Sequence, residues 1–363
     1  VRVAVRWSDA LIGGDGHVWG HDAGSTLLRR LLRVFPDAQV VAAGHGRLGH
    51  GVGFDVVPLE LVDGDRTVLI SMDVLDSPSV WRTMRATSRH PRLVNFVWWS
   101  PSEHVEAVDR ASLALSCALF PTFANSQRTA DEVRAAVREW TVPALADGAR
   151  LAWADLGIRL AHLQPRHEPE VPVVLYPAIH LAPRKRPDLF VAVVERVARR
   201  TPVRVEARLE EQHLVGEAAL RLARREWAWV GPLTPTREGY WRALAGTTAF
   251  LATAEEESYG LAYVEALVAG AVGVLPDLPW ARAILPPGYP FLYRDAAQAE
   301  AMLLRAVTDT AGCRRALDAA AEGSFAQWLG RRHDDDRFEH AIAASVAQWS
   351  APAPPARGGG RLS

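Results

Sequence analysis

The feature that most constrains this chain is an alternation. Short apolar runs are each followed by a polar loop and an amphipathic helix. The pattern is clearest in "TTAFLATAEEESYGLAYVEALVAGAVGVLP" (247–276). "TTAFLATA" (247–254) is rich in small and β-compatible residues and predicts a buried strand. "EEESYG" is a polar turn. "LAYVEALVA" (261–269) predicts a helix, which Gly270 stops, and "AVGVLP" resumes as a strand. Strand–loop–helix–strand is the unit of a parallel sheet. In such sheets ligands bind beyond the carboxyl ends of the strands, where loops meet helix N-termini.

The same alternation runs through both halves of the chain. "VRVAVRW" (1–7) predicts a first strand, followed by the glycine-rich "LIGGDGHVWGHDAGS" (11–25) and the helix "TLLRRLLRVF". Further strands are expected at "QVVAAG" (39–44), "FDVVPL" (54–59), "TVLISM" (67–72), "LVNFVWW" (93–99) and "LFPTFAN" (119–125). Helices are expected from near Ser77, Glu103 and Ser126, the last with capping-box spacing between Thr129 and Glu132. "QPRHEPEVP" (164–172), with three prolines, three charged residues and a histidine, reads as an interdomain linker. A second alternation follows: strand "VVLYPA" (173–178), helix "PDLFVAVVERVARR" (187–200), strand "VRVEARL" (203–209), a helix around 213–226, strand "WAWVGPL" (227–233) and a helix near 237–245. "SFAQWLGRRHDDDRFEHAIAASVAQW" (324–349) reads as helical.

The expected fold class is therefore α/β, with two Rossmann-like doubly wound domains facing a cleft. The first covers 1–168 and the second 169–330. A helix at 331–350 would pack back toward the first domain, and 351–363 would form a disordered tail.

Composition narrows the function classes. The chain has 363 residues, 49% of them hydrophobic, ample for two cores. Its net charge of −1 makes no global case for nucleic acid or membrane binding. "LRRLLR" (28–33) reads as a solvated basic helix face, with weak peripheral contact to anionic lipid as the alternative. The only cysteines, Cys117 and Cys313, form neither a metal-ligand cluster nor a disulfide framework. With a strand-like "VRVAV" start instead of a signal peptide, the expected compartment is the cytoplasm.

Two carboxylates carry the chemical signal. The first turn of the 261–269 helix offers unpaired N–H groups and a positive dipole end, so an anion fits there. Gly260 lets that anion approach the backbone. Glu265 shares the apolar face of Leu261 and Val268, where a carboxylate is costly unless something hydrogen-bonds it. A ligand hydroxyl would serve, as would an arginine or a backbone group. Glu257 lies on the other side of the phosphate-ready turn.

At this point the residues resemble a family. "ESYGLAYVEALVAG" is similar to the nucleotide-sugar motif of retaining GT-B glycosyltransferases, "E-G-F/Y-G-L-x-x-x-E-A-x-A-x-G". The resemblance implies that Glu257 contacts the donor sugar and Glu265 the ribose hydroxyls, while the backbone at Gly260 and Leu261 touches the diphosphate. "IHLAPRKRPDLF" (179–190) resembles the family's "G-R-L-x-x-x-K-G-x-D-x-L". Lys185 matches the lysine that pairs the diphosphate. His180 stands where the arginine would, with Arg184 or Arg186 as compensating cations. "FANSQRTADEV" (123–133) resembles the first-domain "ANS-x-x-T" segment, with Ser126 expected to cap a helix. Gly13 and Gly14 match the glycine-rich loop after the first strand, near His17 and His21. "FVWWSPSEH" (96–104) stands where relatives read "YVHTP", so Trp99 replaces the usual histidine and His104 is a substitute catalytic candidate. Residues 240–294 are also similar to the tRNA-queuosine mannosyltransferase group.

The resemblance implies sugar transfer from a nucleoside-diphosphate sugar to an acceptor hydroxyl with retention, using no metal or other cofactor. The acceptor could be a small molecule, a glycan or a nucleic acid. A tRNA- or DNA-modifying transferase, a nucleotide-sugar 2-epimerase and a non-catalytic nucleotide-sugar-binding protein are the alternatives.

Overall fold

A computed structural model describes residues 2–20, 22–42, 48–104 and 106–351. Most of the expected tail, and the end of "QVVAAG" at Ala43 and Gly44, lie outside the described residues. The chain forms two compact units, one of residues up to Ala154 together with those from Glu339 onward, the other of Asp155–Phe338.

The first unit holds β1 (Arg2–Arg6), β2 (Leu11–Ile12), β3 (Val18–Trp19), β4 (Gln39–Val41), β5 (Gly49–Gly51), β6 (Phe54–Val56), β7 (Thr67–Ser71), β8 (Arg92–Val97), β9 (Thr122–Ala124) and β10 (Leu151–Trp153). Eight of these make one sheet in the order β10-β9-β8-β7-β1-β4-β6-β5, parallel except for β5. The central strands read as continuous apolar runs because helices cover both faces. Val3, Ala4, Val5, Leu69, Ile70, Phe96 and Val97 are buried accordingly. After β1 the chain builds outward through β4 and β6, then returns to place β7 on the other side of β1. The gap between β1 and β7 is thus the point where strand order reverses.

The second unit repeats this design. β11 (Val173–Tyr176), β12 (Arg204–Leu209), β13 (Ala228–Pro232), β14 (Ala249–Leu251), β15 (Val272–Pro276) and β16 (Leu292–Tyr293) form a parallel sheet in the order β13-β12-β11-β14-β15-β16. Its reversal lies between β11 and β14. Val174, Val205, Phe250, Leu251, Val272 and Val274 form its apolar centre.

Several expectations are corrected. The 164–172 segment is not a tether, because its polar groups are pinned to the second unit. Arg166 donates to the carbonyls of Ala269 (3.1 Å) and Thr247 (2.9 Å), and the His167 N–H donates to Ala245 O (3.2 Å). The division of the chain falls earlier, after Ala154. The helix after β9 is capped by Ser126, whose hydroxyl accepts from the Thr129 N–H, so the expected Thr129–Glu132 box is not its cap. The 324–349 helix is two helices, Phe325–Arg332 and Asp335–Ser350. They are separated where Ile158 pairs with Asp334. The glycine-rich loop folds into an antiparallel hairpin, β2 with β3. No helix among the described residues is long and apolar enough to cross a membrane.

Candidate functional site

The second unit's reversal point gathers the charged side chains of two loops. Beyond β11 the chain passes His180 and a short 3-10 turn, Pro183–Lys185. It then enters the Pro187–Ala198 helix through Arg186 in the left-handed region (φ 47°). Beyond β14 it passes Thr253 and the Glu255–Glu257 run and enters the Leu261–Val268 helix through Gly260, also left-handed (φ 82°). Backbone bonds tie the two loops together, from Glu255 N–H to Arg184 O (2.9 Å) and from the Thr253 hydroxyl to Lys185 O (2.6 Å).

Lys185 is buried (8% exposed) and bonds Glu257. The Tyr263 hydroxyl donates to the same Glu257 oxygen at 2.6 Å. A buried ammonium is tolerable only with such a partner. The Tyr263 hydroxyl is pushed well above its ordinary range by burial and then by the Glu257 charge, so it remains a donor.

Glu265 is buried (7% exposed) in the helix that Gly260 opens. Arg237 bonds one of its oxygens, and the Tyr240 hydroxyl donates to the other at 2.6 Å. Both partners sit on the helix preceding β14, three residues apart and so on one face. Arg237 also lies over the rings of Tyr240 (5.1 Å) and Trp241 (5.5 Å). Glu265 is thus satisfied by an arginine and a tyrosine, the intramolecular alternative to a ligand hydroxyl. Neither partner was evident from sequence, because a separation of 25 and 28 residues carries no pairing signal.

Gly260 is required here twice over. Its φ is one that other residues rarely adopt, and a Cβ would stand 2.7 Å from the Tyr263 ring. No side chain caps this helix. Its opening N–H groups, at Leu261 and Ala262, are the free donors an anion would take.

His180 is half-buried beside these groups. The Tyr176 hydroxyl donates to its carbonyl (3.2 Å), and its ring lies 6.0 Å from that of His213. Burial, then the charges of Lys185 and Arg184, lower its pKa, so the free imidazole is neutral near pH 7. Its Nδ1 is buried without a hydrogen-bond partner.

The remaining candidates belong to the first unit. Gly13 and Gly14 lie at the tip of the β2–β3 hairpin, where Gly13 N–H donates to His17 O (2.9 Å). His17 is exposed, and His21 lies outside the described residues, so no metal pair can be drawn from them. His104 faces Asp109 (3.4 Å) and packs edge-on against Trp99, ring centres 4.3 Å apart. In "LRRLLR", Arg29 donates to the carbonyls of Val18 and Gly20, and Arg33 bonds Glu339. Among the described residues, three or more metal-ligating groups come within reach of one another only at Asp334, Asp335 and Asp336, and Arg159 already pairs with Asp335 (3.1 Å).

No protein-family model and no curated protein matches the chain. Solved structures do match. Sucrose-phosphate synthase from Thermosynechococcus elongatus superposes with a TM-score of 0.71 at 11% identity, over 96% of this chain and 98% of its own. HepE from Anabaena, solved with UDP and glucose, gives 0.67 at 14% identity, over 96% and 99%. The trehalose-6-phosphate synthase OtsA gives 0.68 at 10% identity, over 95% and 99%. Such likeness establishes the fold, which is the GT-B fold of two Rossmann-like units.

Proposed function

We propose that this chain is a glycosyltransferase that takes a sugar from a nucleoside-diphosphate donor and passes it to an acceptor hydroxyl with retention at the anomeric carbon. The observation that carries this reading is the second unit's reversal point. An uncapped helix start behind a left-handed glycine lies beside Lys185, with a carboxylate on each side. The GT-B fold, and a neighbour solved with UDP and glucose, agree with it.

In this reading the diphosphate sits against the N–H groups of Leu261 and Ala262. Lys185 and Arg184 neutralise charge as the leaving group departs. Each preorganised donor at a developing anion contributes on the order of 3 kcal/mol to the barrier. Glu265 exchanges its Arg237 and Tyr240 partners for the ribose hydroxyls. Glu257, fixed by Lys185 and Tyr263, accepts from a hydroxyl of the transferred sugar. The acceptor attacks directly from the leaving-group side, which gives retention without a protein nucleophile. The charge on the diphosphate is met by cations and a helix end, so no metal ion is invoked. The acceptor binds the first unit, with the β1–β7 reversal as its place.

A thermal-shift panel of UDP-, GDP-, TDP- and ADP-sugars tests the donor site. A ligand that binds only the folded state raises the melting temperature by mass action. One nucleotide should give a shift that Glu265→Ala abolishes. No shift with any of them, or one unchanged in Glu265→Ala, defeats the reading. The anomeric configuration of the product, read by NMR coupling constants, decides retention.

A further inference from the structure

We infer that His333 is a positioning residue of the donor site, acting through Tyr259 to fix where the helix behind Gly260 begins. The inference rests on the donor-site reading above.

The start of that helix has no side-chain cap to hold it. Gly260 is the cap residue, and its left-handed φ (82°) turns the chain between Tyr259 and Leu261. The direction of the first N–H groups therefore depends on what holds the residues on either side of the turn. Tyr259 enters it and is buried. Its hydroxyl lies 2.6 Å from His333 Nδ1, and the two rings meet edge-on with centres 5.8 Å apart. On the other side the Tyr263 hydroxyl reaches back to Glu257 (2.6 Å), so Gly260 lies between two ties.

The bond between His333 and Tyr259 has a fixed direction. His333 Nε2 faces Ile284 O at 3.0 Å, and a carbonyl can only accept, so Nε2 carries the proton. Nδ1 of the neutral ring is then a bare acceptor, and the Tyr259 hydroxyl donates to it. His333 is fully buried, so it acts through Tyr259 and not by touching a ligand.

His333 is itself held at every polar atom. Its N–H donates to Leu329 O (2.8 Å), and its carbonyl accepts from Ile158 N–H (2.8 Å). Ile158 O accepts in turn from Asp335 N–H (3.2 Å). Trp328 packs edge-on against the ring, centres 5.9 Å apart. The tyrosine before the turn is thus tied to an immobile group. Donors aimed at a developing charge work only when preorganised, to within about 0.5 Å. The tie supplies that constraint where the cap residue cannot.

The experiment is calorimetric titration of the intact protein and three variants with UDP-, GDP-, TDP- and ADP-glucose, with a thermal melt of each protein. Tyr259→Phe keeps the ring and removes the donor. His333→Gln keeps a donor at the ε position for Ile284 O but has no acceptor at the δ position. His333→Asn keeps an acceptor at the δ position for Tyr259 but has nothing at the ε position. All three should melt below wild type, since each leaves a buried polar group unpaired. Affinity should separate them. The Kd of the nucleotide sugar that wild type binds should rise roughly 3- to 10-fold in Tyr259→Phe and His333→Gln, and by less than about twofold in His333→Asn. Combining Tyr259→Phe with His333→Gln should weaken binding no further than either alone. Unchanged affinity in Tyr259→Phe, or equal weakening by His333→Gln and His333→Asn, overturns the inference and leaves the donor site standing. Failure of wild type to bind any of the four sugars overturns both.

Discussion

The two strand-order reversals of this molecule share a topology and differ in charge. In the first unit Arg6, at the end of β1, donates to Asp73 (3.0 Å) and makes a two-point pair with Asp76 (3.0 and 2.7 Å). The Ser8 N–H (2.7 Å) and hydroxyl (2.9 Å) also donate to Asp73. One guanidinium thus faces two carboxylates. The helix that follows β1 is capped by Asp22, whose carboxylate accepts from the Ser25 N–H, whereas Asp76 precedes the helix after β7 without capping it and turns its carboxylate to Arg6. In the second unit the corresponding helices open at Arg186 and Gly260, both left-handed. On the first loop Lys185 pairs with Glu257 and Arg186 with Glu255 (3.7 Å), while the second leads to a helix whose first N–H groups no side chain caps. One sheet plan thus carries an uncapped helix start next to paired cations in the second unit and a guanidinium between two carboxylates in the first. In the proposed reading, cap residues and loop charge rather than strand order direct the diphosphate to the second unit.

Four experiments break or sharpen that comparison. The largest effect concerns acid stability of the second unit. His333 is fully buried there, with its Nδ1 facing the Tyr259 hydroxyl (2.6 Å) and its Nε2 facing Ile284 O (3.0 Å). Burial lowers its pKa from the ordinary 6.5 to about 4. The unfolded chain therefore takes the proton first as pH falls. Stability present above about pH 6.5 is lost progressively down to about pH 4, by roughly 3 kcal/mol. Denaturant melts of wild type and His333→Gln across this range should differ in slope, the variant being flatter. Equal slopes would assign the acid loss elsewhere.

Next is Glu257→Gln, which keeps the shape and removes the charge. Turnover should drop about 100-fold, or ~2.7 kcal/mol of transition-state stabilisation, with a small change in donor affinity. A variant as active as wild type would remove Glu257 from the reaction.

Arg6→Ala probes the other side of the comparison. It leaves Asp73 and Asp76 without their cation, and burial already raises the Asp73 pKa. A stability loss of about 1–3 kcal/mol is expected, with nucleotide-sugar affinity unchanged. Weakened donor binding would place the first unit's cluster in the donor site.

The smallest effect is Gly260→Ala. A left-handed φ costs a residue with a Cβ roughly 1–2 kcal/mol, and the Tyr263 ring must shift. The melt should register that amount. Donor affinity should fall further, because the helix start itself moves. Unaltered affinity would mean the anion binds elsewhere.

Much of this was legible in the chain. Parallel strands buried on both faces read as short apolar runs, so β1, β7, β8, β11, β12, β14 and β15 were recognisable. β10, with half-buried and exposed residues in "LAW", carried no such run. β2 and β3 were hidden in a loop whose glycines suggested no pairing. The linker was misread because proline and charge mark irregular backbone, whereas only the neighbouring carbonyls decide where that backbone docks. In the candidate site, Glu257, Gly260 and Glu265 stood out because their spacing is local, and Lys185 stood out through the family resemblance. Tyr263 lay within the helix as an ordinary aromatic. Arg237 and Tyr240 were invisible as partners, since their meeting with Glu265 depends on how one helix packs beside another.

By itself the sequence determined the periodicities, the helix starts and stops, and the left-handed position only glycine suits. These rest on interactions within a few residues, and local sterics and hydrogen bonding suffice to set them. The tertiary structure decided which charges meet. Lys185 with Glu257, Arg237 with Glu265, and the unpartnered nitrogen of His180 are products of strand order and loop docking. Electrostatic energy depends on distance and burial in space, and neither is written in the order of residues along the chain.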